Sequence, residues 1–487
     1  MNGFYRLSKA VILRNEYGFL HNRSYLAACP KLGQTRHLEL LEYELLQHLS
    51  RPRSYAELDA FLIEAGRAPT EENHLARLLN DFEQLGMIES TSEFAAPIPL
   101  NVPVVQAREW RYRPASAPVS VVAQVPMAGE LLGRLIAQCN ALGVLALHLI
   151  CDGAVREFLL QAAQYLVGLR IAVRLWLRPQ QLMGVNIAHL VGLGDLSLGL
   201  EASWADQPLL KPLIKELAAS GISHLVSFPV SVADDPTQIS QIVHELLEGG
   251  VQTVHLTLTP SETTNLAELA HCLTLLHQLQ NSQPAGKIQL FTRHWPLMQR
   301  NRYFEPRGKQ LLEALDCRCS LGRIVHQSQK TSLIGTWLPK LDCRARISPV
   351  LPPNCCQAGL TSLAVDQAGM VYPCETAFGI AELAIGNLNQ ASLAGLWASE
   401  RWKFFRGGWE LYQLSGCFAC RNYVSCAARR CRVHAMKTLN NRLAPMPMCV
   451  KCADELQLTR INLTQLLGDD LKRAEIPAEQ EGEPGWN

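Results

Sequence analysis

Cys417-x2-Cys420 is the knuckle spacing in which one tight turn aims two thiolates at one metal, and Cys426, Cys431, Cys449 and Cys452 lie close enough to complete a site. A second set of thiols precedes it. Cys355 and Cys356 lead to Gly369 and Cys374 through the segment CCQAGLTSLAVDQAGMVYPC, in which Asp366 to Gly369 reads as a hairpin turn between short strands; Cys343 stands just upstream. Two groups of thiolates imply two metal centres. The spacing also admits a single zinc site built from two knuckles at ribbon-like separation, Cys417 with Cys420 and Cys449 with Cys452.

The redox compartment bears on that choice. The start, MNGFYRLSKAVILRNEYG, lacks the basic, apolar and small-residue order of a secretory signal, so the expected compartment is the cytoplasm, where thiols stay reduced. The chain has 16 cysteines; Cys29, Cys139, Cys151 and Cys272 are scattered, and the rest fall from Cys317 onward. Metal ligation explains that clustering better than disulfides do.

With 487 residues, 48% of them hydrophobic, the chain can bury several cores, and its length suggests roughly two to four domains. Lys and Arg number 45 against 44 Asp and Glu, a net charge of +1 that offers no global field for nucleic acid or an anionic membrane. No apolar run reaches the roughly 20 residues of a bilayer span; the nearest, Leu131 to Ile150, contains Arg134, Gln138 and Asn140.

Four regions precede a short tail. Residues 1–90 open with extended segments at Phe4 to Leu13 and Tyr17 to Leu20, followed by three helices. The first carries Leu38, Leu41, Leu45 and Leu49 at helical spacing. Ser54 and Glu57 form a capping box for the second, which Gly66 stops; Thr70 caps the third, whose apolar face is Leu75, Leu78, Leu79, Phe82 and Leu85, with a short strand at Met87 and Ile88. The pattern suggests a winged helix. Residues 91–118, with prolines at 97, 99, 103, 114 and 118, read as a linker or extended strap. In residues 119–340 six strand-like runs (VSVVAQV, LALHLI, IAVRLWL, DLSLGL, ISHLVSFPV, VQTVHLTL) alternate with helical stretches, arguing for a parallel α/β sheet or partial (β/α)6 barrel. Residues 341–465 are loop-rich and hold the cysteines, and residues 466–487 end in a polar tail.

The cysteine region resembles the SPASM domain that follows the barrel of many radical S-adenosylmethionine (radical SAM) peptide-modifying enzymes and holds auxiliary iron–sulfur clusters. Cys356, Gly369, Cys374, Cys417, Cys420 and Cys426 match its pattern, as do Val371-Tyr-Pro-Cys374 and Ile385-Gly-Asn-Leu388 followed by Ser392-Leu393 and Trp397. One departure is that four residues, not three, separate Cys426 from Cys431, and Arg429 and Arg430 replace two small residues. The resemblance implies a first [4Fe–4S] cluster on Cys356, Cys374 and Cys431, with Cys343 or Cys355 as fourth ligand. It implies a second on Cys417, Cys420, Cys426 and either Cys449 or Cys452.

By the same resemblance, the loop after the first barrel strand should carry Cys-x3-Cys-x2-Cys for the cluster that binds and cleaves S-adenosylmethionine. Here Val119 to Val125 runs through Pro126-Met-Ala-Gly-Glu130 into a helix, with no cysteine before Cys139, and the glycine-rich segment after the second strand is Cys151-Asp152-Gly153. The chain therefore resembles pseudo-radical-SAM/SPASM proteins: barrel retained, no functional S-adenosylmethionine cluster. Glu201, His224 and His255 stand as barrel-mouth candidates for a ligand or for ordinary structural roles.

Residues 1–90 are similar to the peptide-binding winged helix called a RiPP recognition element, of the kind found in the peptide chaperone of pyrroloquinoline quinone biosynthesis. Such a domain adds a leader peptide as a strand to a sheet edge. DNA binding is disfavoured because the third helix carries Glu71, Glu72, Asp81 and Glu83 against Arg77. The function this implies is a cytoplasmic, SAM-cleavage-deficient accessory protein of ribosomal peptide modification. Its partners would be a precursor peptide and a companion radical SAM/SPASM maturase, with no nucleic acid and no membrane. The alternatives are an independent iron–sulfur enzyme using an auxiliary cluster or a barrel-mouth ligand, and a zinc- or cluster-containing winged-helix regulator.

Overall fold

A computed structural model describes most of residues 3–100, 114–292 and 358–408, with a few positions between 432 and 443. The amino-terminal unit contains β1 (Phe4–Leu7), β2 (Ile12–Tyr17), β3 (Arg23–Cys29), β4 (Gln34–Leu38), α1 (Leu40–His48), β5 (Arg53–Ser54), α2 (Tyr55–Glu64), α3 (His74–Gln84) and β6 (Ile88–Thr91). Strands order as β5-β1-β6 and β2-β3-β4, both antiparallel. The three expected helices are present. Ser54 Oγ accepts from Glu57 N at 3.3 Å while Glu57 Oε2 accepts from Ser54 N at 2.8 Å, the reciprocal box that starts α2. Leu75, Leu78, Leu79 and Phe82 of α3 are buried, and Gly86 with φ +65° turns the chain into β6. Gly66 and Thr70 lie outside the described residues.

The expected extended segment Phe4 to Leu13 is two strands, broken where Ser8 N donates to Met87 O at 2.9 Å. The second segment belongs to β2 as far as Tyr17, and Gly18 to Leu20 lie outside the described residues. Strands β3 and β4 were not anticipated. β3 gives no polar/apolar alternation because both its faces are covered: Tyr25, Ala27 and Cys29 enter the core of the amino-terminal unit, whereas Leu26 and Ala28 join the core of the large sheet.

That sheet is built from β7 (Ser120–Val125), β8 (Ala146–Cys151), β9 (Ala172–Leu177), β10 (Leu196–Glu201), β11 (His224–Val230), β12 (Thr253–Leu258) and β13 (Ile288–Thr292), with neighbours parallel throughout. All six expected strands are there, and β13 adds one more than the six-unit estimate. Between them run α4 (Gly129–Ala141), α5 (Ile187–Val191), α6 (Gln207–Ala219) and α7 (Pro236–Glu248). Asp235 caps α7 through Thr237 N at 3.0 Å with Pro236 in the first turn, and Gly250 at φ +103° closes it.

Register sorts the side chains onto two faces. Val121, Leu147, Val173, Leu198, Val226 and Val254 share one core with Leu132 and Leu135 of α4, Ile214 of α6 and Ile242 of α7. On the other face Val122 pairs with His148, His148 with Arg174 and Arg174 with Ser197, while Ser227 pairs with His255. Those polar side chains are buried as well.

The amino-terminal unit is fastened to the sheet by Arg14. Only 3% exposed, it donates from Nη1 to Gly143 O at 2.8 Å and Pro118 O at 3.1 Å, and from Nη2 to Ala117 O at 2.6 Å. Ile12, on the same face of β2, approaches so closely that a Cβ on Gly143 would lie 3.1 Å from its Cγ2. The proline-rich stretch is tied down at both ends. Ile98 N donates to Ser50 O at 2.7 Å, and Ala115 N to Leu360 O at 2.7 Å, so the described ends form a strap. Among the described residues no helix is long and apolar enough to cross a membrane.

Replacing Arg14 by Ala strands three buried carbonyls at this junction. The variant should lose about 2–4 kcal/mol of stability, measured by denaturant unfolding. An unchanged midpoint would show that the apolar contacts of Ile12, Leu26 and Ala28 suffice.

Candidate metal centre

Past residue 358 the chain returns to the sheet. β14 (Ser362–Val365) pairs parallel with β7, Ser362 opposite Ser120 and Val365 opposite Ala123, and then antiparallel with β15 (Met370–Tyr372), which pairs with β16 (Gly386–Asn387). The turn between β14 and β15 is the expected hairpin. Asp366 Oδ1 accepts from Ala368 N at 3.0 Å and Met370 N at 2.8 Å, and Gly369 adopts φ +81° where a Cβ would come within 3.0 Å of Leu131 Cδ2. Cys374 follows β15 directly, half-buried, with extended backbone, its carbonyl accepting from Ala377 N at 3.0 Å.

The motif around Trp397 supports that hairpin. Ser392 caps α8 (Leu393–Ala398) by accepting from Gly395 N at 3.1 Å; Trp397 Nε1 donates to Ala115 O at 3.0 Å, tying the strap to this region. Arg406 is fully buried against the same tryptophans, its guanidinium carbon 4.6 Å from the Trp397 ring centroid and 5.2 Å from that of Trp402. Its Nε donates to Gly359 O at 2.9 Å. Nη1 and Nη2 are buried without a hydrogen-bond partner, and burial pushes its pKa down to about 9, so it stays charged at neutral pH.

Of the expected ligands Cys374 is described; Cys343, Cys355, Cys356, Cys417, Cys420, Cys426, Cys431, Cys449 and Cys452 lie outside the described residues. Arg432, next in the chain to Cys431, is fully buried and donates from Nη1 to Arg442 O at 3.2 Å. The Cys374 thiol, with an orphaned, buried guanidinium anchored on Gly359 just before β14, fits an anionic iron–sulfur group. The sequence offered a signal for Arg406, a cation set between aromatic and glycine residues in WKFFRGGW, which the reading of the cysteines passed over.

The scattered cysteines that are described behave as small apolar side chains: Cys29 and Cys139 are buried, and burial pushes the Cys29 thiol up to about 12 and Cys139 further. Cys151 ends β8, where Gln181 Nε2 donates to its carbonyl at 3.3 Å and to Gly153 O at 2.8 Å. Between β7 and α4 there are only Pro126, Met127 and Ala128.

Of the barrel-mouth candidates, Glu201 does end its strand, but the other two do not sit at a mouth. His224 is the first residue of β11, at the opposite end, with Nδ1 donating to Ile222 O at 2.8 Å; His255 lies within β12. Periodicity marks a strand without marking its ends, which is why both were misplaced. Around His255 the structure gathers residues the sequence reading did not single out. His148 Nδ1 accepts from Trp176 Nε1 at 3.2 Å, Arg174 Nε donates to Ser197 Oγ at 3.1 Å, and the Trp176 and His255 rings lie 6.2 Å apart. Burial first and the Arg174 charge second hold His148 well below the ordinary imidazole range and His255 down at about 3.

Residues 355–422 match the SPASM model, an iron-sulfur cluster-binding domain. No curated protein matches the chain in sequence. Among solved structures the chain is similar to Streptococcus suis SuiB, at 13% identity over 89% of this chain and 96% of that one, with a TM-score of 0.52. The structure of SuiB bound to S-adenosylmethionine gives 12%, 90%, 98% and 0.51. The first match implies iron–sulfur binding, and the likeness to SuiB establishes a shared fold.

The buried imidazoles set a pH dependence. Unfolded, each takes up a proton near pH 6.5; folded, His255 resists protonation until about pH 3, so stability is complete above pH 6.5 and drains as pH falls toward 3. Unfolding free energy measured from pH 7 to 4 should fall with a slope of up to about 1.4 kcal/mol per pH unit for each such histidine. His255→Asn should shed its share of the slope; an unaltered slope would contradict the burial argument.

Proposed function

We propose that this protein is an iron–sulfur accessory protein of ribosomal peptide modification, deficient in S-adenosylmethionine cleavage, which presents a precursor peptide to, or relays electrons for, a partner radical SAM/SPASM maturase. One observation carries the reading. The connection from β7 to α4 is three residues, Pro126 to Ala128, without a cysteine, on a scaffold whose neighbour SuiB binds S-adenosylmethionine. A cleaving site needs three thiolates on that connection to leave one iron open, and three residues without a thiol cannot supply them.

The auxiliary clusters would supply one-electron chemistry. Cys356, Cys374 and Cys431, with Cys343 or Cys355, would hold one; Cys417, Cys420, Cys426 and Cys449 or Cys452 the other. The hairpin that seats Cys374 is part of the large sheet through β14, so a cluster held there sits on a rigid support. The amino-terminal unit is read as a winged-helix, RiPP-recognition-element-like domain, for which its three helices and antiparallel strands speak. β2 faces the large sheet through Arg14, whereas β4 pairs only with β3 among the described residues and offers the edge on which a leader peptide would add as a strand.

Anaerobically purified protein should contain about eight irons per chain with matching sulfide, falling toward about four in Cys374→Ala and in Cys417→Ala; one zinc and no sulfide would sink the cluster reading. Peptide presentation is tested by hydrogen–deuterium exchange with the leader of a co-encoded precursor. Amides of Gln34–Leu38 should be slowed at least tenfold, and no protection there would refute docking on β4.

A further inference from the structure

We infer that Arg406 is the charge partner of the cluster held by Cys356 and Cys374, donating its Nη protons to cluster sulfur and raising the potential at which that cluster is reduced. The inference rests on the ligand assignment proposed above.

Arg406 has no exposed surface, and only its Nε has an acceptor, the Gly359 carbonyl at 2.9 Å. Nη1 and Nη2 are enclosed with no hydrogen-bond partner, and none of the ion pairs among the described residues involves them. Taking a guanidinium out of water without an anion is among the costliest things a fold can do. The faces of Trp397 and Trp402 attract the cation, but they lie over its plane and leave the in-plane N–H groups unserved. Something anionic that accepts hydrogen bonds completes the site.

Chain order points to it. Gly359 follows Cys356 by three residues in the sequence. Gly359 N donates to Ser362 O at 2.8 Å at the start of β14, and the hairpin partner β15 leads straight into Cys374. The single anchor of the guanidinium is therefore flanked in the chain by both proposed ligands. Gly359 cannot be replaced without disturbing this seat, because at φ +72° its Cβ would fall 2.8 Å from Trp402 Cε3 and 2.9 Å from Phe405 Cβ. A thiolate-ligated cluster is an anion rich in sulfur acceptors. Hydrogen bonds and positive charge beside it favour the form with one more electron, and so raise its potential.

The test uses the full-length chain purified without oxygen, as wild type, R406Q and R406K, assayed for iron and sulfide and then titrated with dithionite while the reduced clusters are followed by electron paramagnetic resonance. R406Q should keep wild-type iron and sulfide and lower one cluster's midpoint by the equivalent of a tenfold change in the reduced-to-oxidised ratio, about 59 mV for a one-electron couple. R406K should recover most of that shift. Wild type grown with 15N-arginine should show a weak 15N coupling to the reduced cluster that R406K lacks. That measurement decides alone if R406Q does not fold. Iron-replete R406Q with unmoved midpoints, or a labelled wild type with no 15N coupling, overturns the role of Arg406 while leaving the clusters standing. Protein with zinc and no sulfide overturns the cluster reading and this inference together.

Discussion

Parallel pairing between β7 and β14 joins the beginning of the large sheet to the cysteine-bearing segment, and most of the remaining geometry follows from it. A parallel sheet has to be covered on both faces, so a strand added at its edge brings its own cover with it. β14 brings the β15 hairpin, α8 and the two tryptophans, and the strap at Ala115 closes over them through the Trp397 indole. Cys374 thereby leaves a strand belonging to the same sheet that opens with β7 and the Pro126 connection.

Buried cations recur where separate parts of this chain meet. Arg14 spends its guanidinium on three carbonyls at the seam between the amino-terminal unit and the sheet, and those carbonyls would otherwise be left without donors. Arg174 lies inside the sheet's polar face next to two histidines that its charge helps keep neutral. Arg406 differs from Arg14 in having one acceptor for three donor nitrogens. The first has backbone carbonyls for its Nη groups, and the contrast is what makes the last a sign of an anion.

Trp176 lies against Gly199, where a Cβ would come within 2.5 Å of the indole, and its N–H is held by His148. An indole, a guanidinium and two imidazoles fill this layer of side chains. All four are buried; the indole donates to His148, the guanidinium donates to the Ser197 hydroxyl, and the Trp176 and His255 rings lie 6.2 Å apart.

Local patterns settled much of the molecule in advance. The Ser54–Glu57 box, the Leu75 to Phe82 stripe, the Asp366 to Gly369 turn and the six apolar strands of the sheet are all short-range consequences of capping, glycine conformations and hydrophobic period. Cysteine spacing marked the metal-binding region for the same reason, since two thiolates on one turn are a local geometry. Strand β3 escaped because a strand buried on both faces has no alternation to read, and β4, QTRHL, is short and mostly polar. The places of His224 and His255 along their strands, the parallel addition of β14, the seam at Arg14 and the unserved Nη groups of Arg406 depend on residues far apart in the chain. Only tertiary structure decides these, because burial and hydrogen-bond satisfaction are properties of the folded environment and carry no period in the sequence.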